Sequence, residues 1–256
     1  MLRGLSFGNG GFGSTFMTVL GWTLVWAFFA TFLNYFLGMA LAMLINKKGL
    51  KFSKLWRTIF VVTIAVPQFV SLLYVSKMFA ETGLINTYFL KWGLIEEALP
   101  FWTDPTWAKF TIIGINLWIG IPHMMLIATG LLMNIPEDLY ESARIDGANK
   151  LQMFVKITLP YMLFVTGPYL LTSFTGNLNN FNVIFLLSGG GPKSMALEDS
   201  AGYTDLLITW LYKLTVNETN YRLAAVIGIL VFVVTAVISV VVYNMLPSVK
   251  DEEGFQ

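Results

Sequence analysis

Residues 134–160 read Asn134-Ile-Pro-Glu-Asp-Leu-Tyr-Glu-Ser-Ala-Arg-Ile-Asp-Gly147-Ala-Asn-Lys-Leu-Gln-Met-Phe-Val-Lys-Ile-Thr-Leu-Pro160, between apolar runs at 110–133 and 162–187. Charge crowds into this stretch, and Asp, Glu, Lys and Arg are absent from both flanking runs. The local chemistry predicts two short helices. Asn134 can cap the first, Pro136 suits its opening turn, and Glu137 and Asp138 complement the positive end of its dipole. Gly147 ends that helix, because only a residue without Cβ reaches left-handed conformations cheaply. A second helix carries Leu151, Phe154, Val155 and Leu159 on one face, and Pro160 closes it. The stretch therefore reads as a compact knob between two apolar rods.

The rods are part of a series. A membrane-spanning helix needs roughly 20 predominantly apolar residues, and five stretches qualify: 16–45, 59–79, 110–133, 162–187 and 223–246. Lys77 is the one fully charged residue among them, near a span end where it can snorkel. Composition agrees. Of 256 residues 56% are hydrophobic and 12% charged, against about 25% charged in soluble domains. The expected fold is all-α, a polytopic membrane protein of about five transmembrane helices forming a single domain over 1–256.

The Lys/Arg bias of short loops sets orientation. Lys47, Lys48, Lys51, Lys54 and Arg57 follow the first span with no acidic residue among them, which marks that loop as cytoplasmic. The next loop holds Glu81, Glu96, Glu97 and Asp104 against Lys91 and Lys109, and reads as external. Alternation places 134–160 inside, 188–222 outside and the C-terminus inside. Five spans then leave the N-terminus outside, although its Gly-rich opening lacks the signature of a secretory signal. Further spans are expected before residue 1.

The segment Glu141-Ser-Ala-Arg-Ile-Asp146-Gly147-Ala148, followed by Phe154, Ile157, Leu159 and Pro160, resembles the EAA loop of binding-protein-dependent ABC importer permeases. Their pattern is E-A-A-x-x-D-G-A, then I-x-L-P, and this sequence departs from it only at Ser142. The resemblance continues through Ala65-Val-Pro67, Asn116-Leu-Trp-Ile-Gly120-Ile-Pro122, the stretch 181–192 and Ala201-Gly-Tyr-Thr-Asp-Leu-Leu207, which look like the larger membrane subunit of maltose/maltodextrin importers. It implies a type I ABC importer permease fold, with 134–160 as the loop that docks a cytoplasmic ATPase. Glu141, Ser142, Ala143, Asp146, Gly147 and Ala148 would form that coupling element. It also implies four kinds of partner: a second permease subunit, an ATPase dimer, an extracellular or periplasmic sugar-binding protein, and the lipid of a bacterial cytoplasmic membrane. ATP and Mg would sit on the ATPase, with no cofactor on this chain.

Polar residues within spans are costly and are functional hypotheses by default. Ser173, Asn177 and Asn180, at i, i+4 and i+7, share one helical face, and Asn116, Gly120 and His123 repeat that spacing. Gln68 stands beside Pro67. Such stripes can exchange hydrogen bonds with sugar hydroxyls, while Trp118 offers an apolar face to a pyranose ring. They can equally bridge neighbouring helices without touching any substrate. Gly120 and Gly176 would permit close approach, and Pro67, Pro122 and Pro168 would open backbone groups to a cavity. Sugar contact is expected at eight positions, Gln68, Asn116, Gly120, His123, Ser173, Gly176, Asn177 and Asn180; the resemblance supports it for Ser173, Asn177 and Asn180, whereas His123 and Gly176 stand where family members with maltose sites carry an aromatic. Outside the spans, Tyr203, Leu207, Trp210, Leu211 and Leu214 fall at helical spacing, as an interfacial amphipathic helix or a surface for the binding protein.

Rival functions fit less well. The run Ser188-Gly-Gly-Gly-Pro-Lys193-Ser is not a phosphate loop, because Pro192 stands where a glycine must precede the lysine. An ion-coupled secondary transporter would bury charged groups at mid-membrane, and these spans carry no central carboxylate. With no cysteine and a single histidine, thiol catalysis and a multi-histidine metal site are excluded. A net charge of +1 gives no reason to expect nucleic acid. The expectation is a transport subunit rather than an enzyme.

Overall fold

A computed structural model describes residues 11–47, 49–197 and 200–250. The Gly-rich opening read above, Lys48 of the basic loop and the C-terminal tail lie outside those residues. The described chain is helical, and its one β-type pairing is an isolated bridge between Lys193 and Gly202.

The longest helix, α1 (Phe12–Ile45), is uncharged and mostly apolar and acts as the central post. Its length follows from 34 residues without proline or charge, about 51 Å at 1.5 Å per residue. Three buried clusters succeed one another along it. Phe12, Phe16 and Val19 pack with Leu207, Trp210, Leu214, Ala224 and Ile227. Trp22, Trp26 and Ala30 meet Leu72, Val75, Ile112, Ile115, Val183 and Ile184. Tyr35, Met39, Ala42 and Ile45 meet Met124, Met125, Ala128 and Met162.

Span two is not one helix. It consists of α2 (Ser53–Ala65) and α3 (Gln68–Met78), bent by 93°. Proline holds the residue before it out of the helical region, and Val66 accordingly sits extended with ψ 130. After a short α4 (Leu84–Lys91) comes α5 (Pro105–Leu132), opened by Asp104, whose carboxylate accepts from the Thr106 and Trp107 backbone N–H groups at 2.8 and 2.9 Å.

The knob begins with α6 (Glu137–Ile145), whose N-cap is Pro136; Asn134 lies outside the helix and does not cap it. The second helix does not close at Pro160. Instead α7 (Lys150–Met153) passes through a π-helical turn (Phe154–Thr158) into α8 (Leu159–Leu178), and Pro160 lies just past that turn within the continuous helical run. Span four stops early. Asn179 ends α8, and Asn180 caps a new short helix, α9 (Phe181–Leu187), by accepting from the Val183 N–H at 3.3 Å.

Tyr203 lies in the loop, and the helix beyond it is α10 (Leu207–Val216). Leu207, Trp210 and Leu214 are buried against α1 and against α11 (Tyr221–Met245), so this face packs inside the protein rather than along a bilayer surface. The one-turn α12 (Pro247–Lys250) ends the described chain.

Among the described residues four helices are long and apolar enough to cross a bilayer, or five if the bent pair is one span. Two sets of polar contacts tie loops to the helices. At one end the Trp22 indole donates to the Thr204 carbonyl, and the Trp102 indole to that of Ser76. At the other, Asn46 joins Thr129 and Arg57.

Candidate functional site

The α1–α5 crossing is where the polar residues gather. Met124 packs against Gly38, and a turn earlier the Asn34 amide lies so close to Gly120 that a Cβ there would overlap it. Gly120 is thus a close-approach glycine, and what approaches it is a side chain of α1. On one side of Gly120 and His123 lies a pocket of about 380 Å³, bounded by Thr63, Val66, Pro67, Gln68, Ser71 and Trp118. This pocket exists because the chain bends at Pro67. On the other side is a chamber of about 110 Å³ between α1, α5 and α8, lined by Thr31, Asn34, Tyr35, Tyr169, Ser173 and Asn177. Pro122 cannot donate to the Trp118 carbonyl four residues back, so that rung of the helical ladder is missing in this region.

The structure brings together Gln68, Gly120, His123, Ser173 and Asn177 around these two spaces. The other three site residues lie elsewhere. Asn116 is buried a turn above Gly120, and its Nδ2 has no hydrogen-bond partner. Gly176 faces open space, where an added Cβ would meet nothing within 4 Å. Asn180 leaves the α8 stripe because the helix has ended, and its Nδ2 donates to Asn177 Oδ1 at 3.2 Å.

Asn177 is held in turn from α1. Its Nδ2 donates to Thr31 Oγ1 at 3.0 Å, and its main-chain carbonyl accepts from the Trp26 indole at 3.1 Å. The sequence reading passed over Thr31, Asn34, Tyr35 and Tyr169. Asn34 carried the same signal as Asn116, an amide within an apolar run; its Oδ1 is buried and unpartnered.

At the far end, α6 stands clear of the bundle. Glu141, Ser142, Asp146 and Gly147 are exposed and Ala143 and Ala148 half-buried, while Ile145 is 86% and Leu139 47% exposed. Gly147 takes φ +79, the Ala148 N–H donates to the Ala143 carbonyl at 2.9 Å, and the Gly147 N–H to that of Arg144 at 3.1 Å. This double closure fixes where the helix stops. Asn149 and Gln152 then cap the following turn reciprocally. The Tyr140 and Thr158 hydroxyls meet at 2.8 Å and tie α6 to the root of α8.

Between α9 and α10 the Gly-rich loop folds over a buried carboxylate. Asp205 pairs with Lys213 at 2.6 Å and accepts from the Gly202 N–H and the Thr209 hydroxyl. Burial pushes its carboxyl up from the ordinary value, and Lys213 foremost pulls it back.

Residues 34–250 match the family described as binding-protein-dependent transport system inner membrane component. The chain is 40% identical to the galactooligosaccharides transport system permease protein GanP of Bacillus subtilis over 93% of its own length and 57% of that protein's. It is 38% identical to the maltodextrin transport system permease protein MdxF of Bacillus subtilis, over 95% of this chain and 57% of that one. Against the maltose/maltodextrin transport system permease protein MalF of Escherichia coli K12, identity is 36% over 92% and 46%. The chain thus spans about half the length of these relatives. Among solved structures, a chain of a bacterial alginate ABC transporter superposes with a TM-score of 0.77 at 24% identity, covering 93% of this chain and 80% of that one, a likeness of fold.

Proposed function

We propose that this chain, which belongs to the family of binding-protein-dependent transport system inner membrane components, conducts an oligosaccharide through an ATP-driven importer of the bacterial cytoplasmic membrane. It is a transport subunit, with ATP and Mg handled by a separate ATPase dimer. A second permease subunit and a sugar-loaded binding protein complete the assembly. The observation that carries this reading is α6, a helix with its apolar Leu139 and Ile145 offered to the outside and its end fixed by Gly147. An exposed but rigidly terminated helix suits docking into a partner's cleft.

The sugar site proposed is the pair of spaces flanking Gly120 and His123. The larger, at about 380 Å³, falls within the range of small-molecule sites, roughly 300–1,000 Å³. Trp118 supplies an apolar face there, and Gln68, Ser71 and His123 supply polar groups. The sugar we assign is maltodextrin, in line with relatives named for maltodextrin or maltose; galactooligosaccharide is the competing substrate, on account of the relative named for it.

The test is uptake by vesicles holding the complete transporter, with ATP supplied and ion gradients collapsed. Maltodextrin should accumulate and galactooligosaccharide should not. Gly147→Pro, which cannot adopt φ +79 or donate to Arg144, should abolish uptake while insertion stays normal. Uptake that needs an ion gradient, or survives Gly147→Pro unchanged, would sink the proposal; accumulation of galactooligosaccharide alone would reassign the sugar.

A further inference from the structure

Three side chains around the α8–α9 break form a directional ladder. The Val183 backbone N–H can only donate, and it points at the Asn180 side chain at 3.3 Å, so the atom it meets is Oδ1. Asn180 must then turn its NH₂ toward Asn177, and Nδ2 meets Asn177 Oδ1 at 3.2 Å. Asn177 is left with its own NH₂ facing Thr31, where Nδ2 donates to Oγ1 at 3.0 Å. One backbone donor thus fixes the orientation of both amides, and a hydroxyl on α1 terminates the series. Thr31 is 4% exposed, so no water replaces it as acceptor at low cost. The Trp26 indole, a turn and a half earlier on α1, holds the Asn177 carbonyl as well.

The ladder consumes one donor and one acceptor of each amide. What remains on each is one N–H and part of the carbonyl oxygen's capacity. Asn177 borders the 110 Å³ chamber beside Ser173, Tyr169 and His123. A sugar hydroxyl entering it would be met by an amide whose rotation is already restricted.

We propose that Thr31 is a positioning residue for the sugar, acting through Asn177 by terminating this ladder. It holds the amide from the chamber wall that it shares with Asn177, and α1 thereby becomes part of the sugar site. This rests on the reading of the chamber bordered by Asn177 as part of the sugar site. Without the Thr31 hydroxyl, Asn177 Nδ2 loses its buried acceptor and the Asn177 side chain is held by the Asn180 bond alone, while Asn180 stays oriented by the Val183 N–H.

The test uses the assembled transporter in nanodiscs without binding protein, titrated with maltodextrin and with galactooligosaccharide, each variant checked for assembly. With the sugar that the wild type binds, Thr31→Val should weaken binding about fivefold, the size of one lost hydrogen bond. Thr31→Ser, which keeps the hydroxyl, should restore it. Asn177→Ala should lose more, and Thr31→Val with Asn177→Ala should bind no more weakly than Asn177→Ala alone, because Thr31 acts only through that amide. Wild-type binding in Thr31→Val, loss in Thr31→Ser as well, or additive losses in the double variant would each overturn the role of Thr31 while leaving the sugar site standing. Wild-type affinity in Asn177→Ala would instead overturn the chamber as part of the sugar site.

Discussion

At the scale of single residues, the most exacting demand in the chain is the burial of Asp205, which is 0% exposed. A buried carboxylate is tolerated when its partner and hydrogen bonds are all in place, and removing one partner of such a pair costs about 3–5 kcal/mol. Lys213→Met should therefore lower the thermal midpoint markedly, whereas Asp205→Asn with Lys213→Met should recover most of the loss. The pH dependence follows from sign. Burial already raises the Asp205 carboxyl, and Lys213 is the main influence lowering it, so its removal raises the group further. A carboxyl raised in the folded state binds its proton more tightly folded than unfolded. Its contribution to stability is present at low pH and is lost as pH rises through the folded value. The deficit of Lys213→Met should shrink on acidification from neutral pH, as followed by thermal melts; a deficit independent of pH would show that Asp205 is not what Lys213 neutralises. None of this was legible beforehand. Asp205 and Lys213 stand eight residues apart, off any shared helical face, and the glycine loop that closes over them arrives from residues 188–191. Asn34 was legible and overlooked, by the same rule that marked Asn116.

At the scale of elements, hydropathy placed the ends of α1 and α11 within a few residues of where they fall. It missed the two breaks because hydropathy counts side chains, whereas helix continuity depends on backbone donors. Pro67 was noted as a group-opener, but its effect on Val66 turns the chain by 93°. Asn180 was read as part of a polar stripe, yet the adjacent Asn179 and Asn180 are equally a stop and a cap. The Pro67 bend can be measured directly, since the absence of cysteine allows spin labels at positions 55 and 77 alone. With 1.5 Å rise per residue the labelled backbones should lie about 23 Å apart if bent and about 33 Å if straight. Pro67→Ala frees Val66 and restores a donor for the Thr63 carbonyl, and should shift the distribution toward the longer distance while weakening sugar binding at the pocket that the bend creates. An unchanged distribution would mean that packing, and not proline, sets the turn.

At the scale of the whole molecule, α8 connects the two features to which function is assigned. Its root is joined to α6 by Tyr140 and Thr158, and its far end carries Asn177. A helix of 20 residues is about 30 Å long, so a tilt imposed at the knob reaches the chamber if the joint at its root transmits it. That joint is the π-helical turn Phe154–Thr158, and single π turns interrupt the regular α-helical ladder. The Tyr140–Thr158 hydrogen bond stands across that turn, and on this argument it is what keeps α6 and α8 moving together. Tyr140→Phe deletes one hydroxyl, leaves the packed ring, and should neither block insertion nor expose new apolar surface. With a hydrogen bond worth about 0.5–1.5 kcal/mol, the expected result is a few-fold rise in ATP hydrolysed per sugar imported, measured in proteoliposomes of the complete transporter with both fluxes recorded together. Thr158→Val should do the same, and the two changes combined should be no worse than either, because both remove one bond. A wild-type ratio in Tyr140→Phe would place the transmission elsewhere, through the packing of α8 against α1.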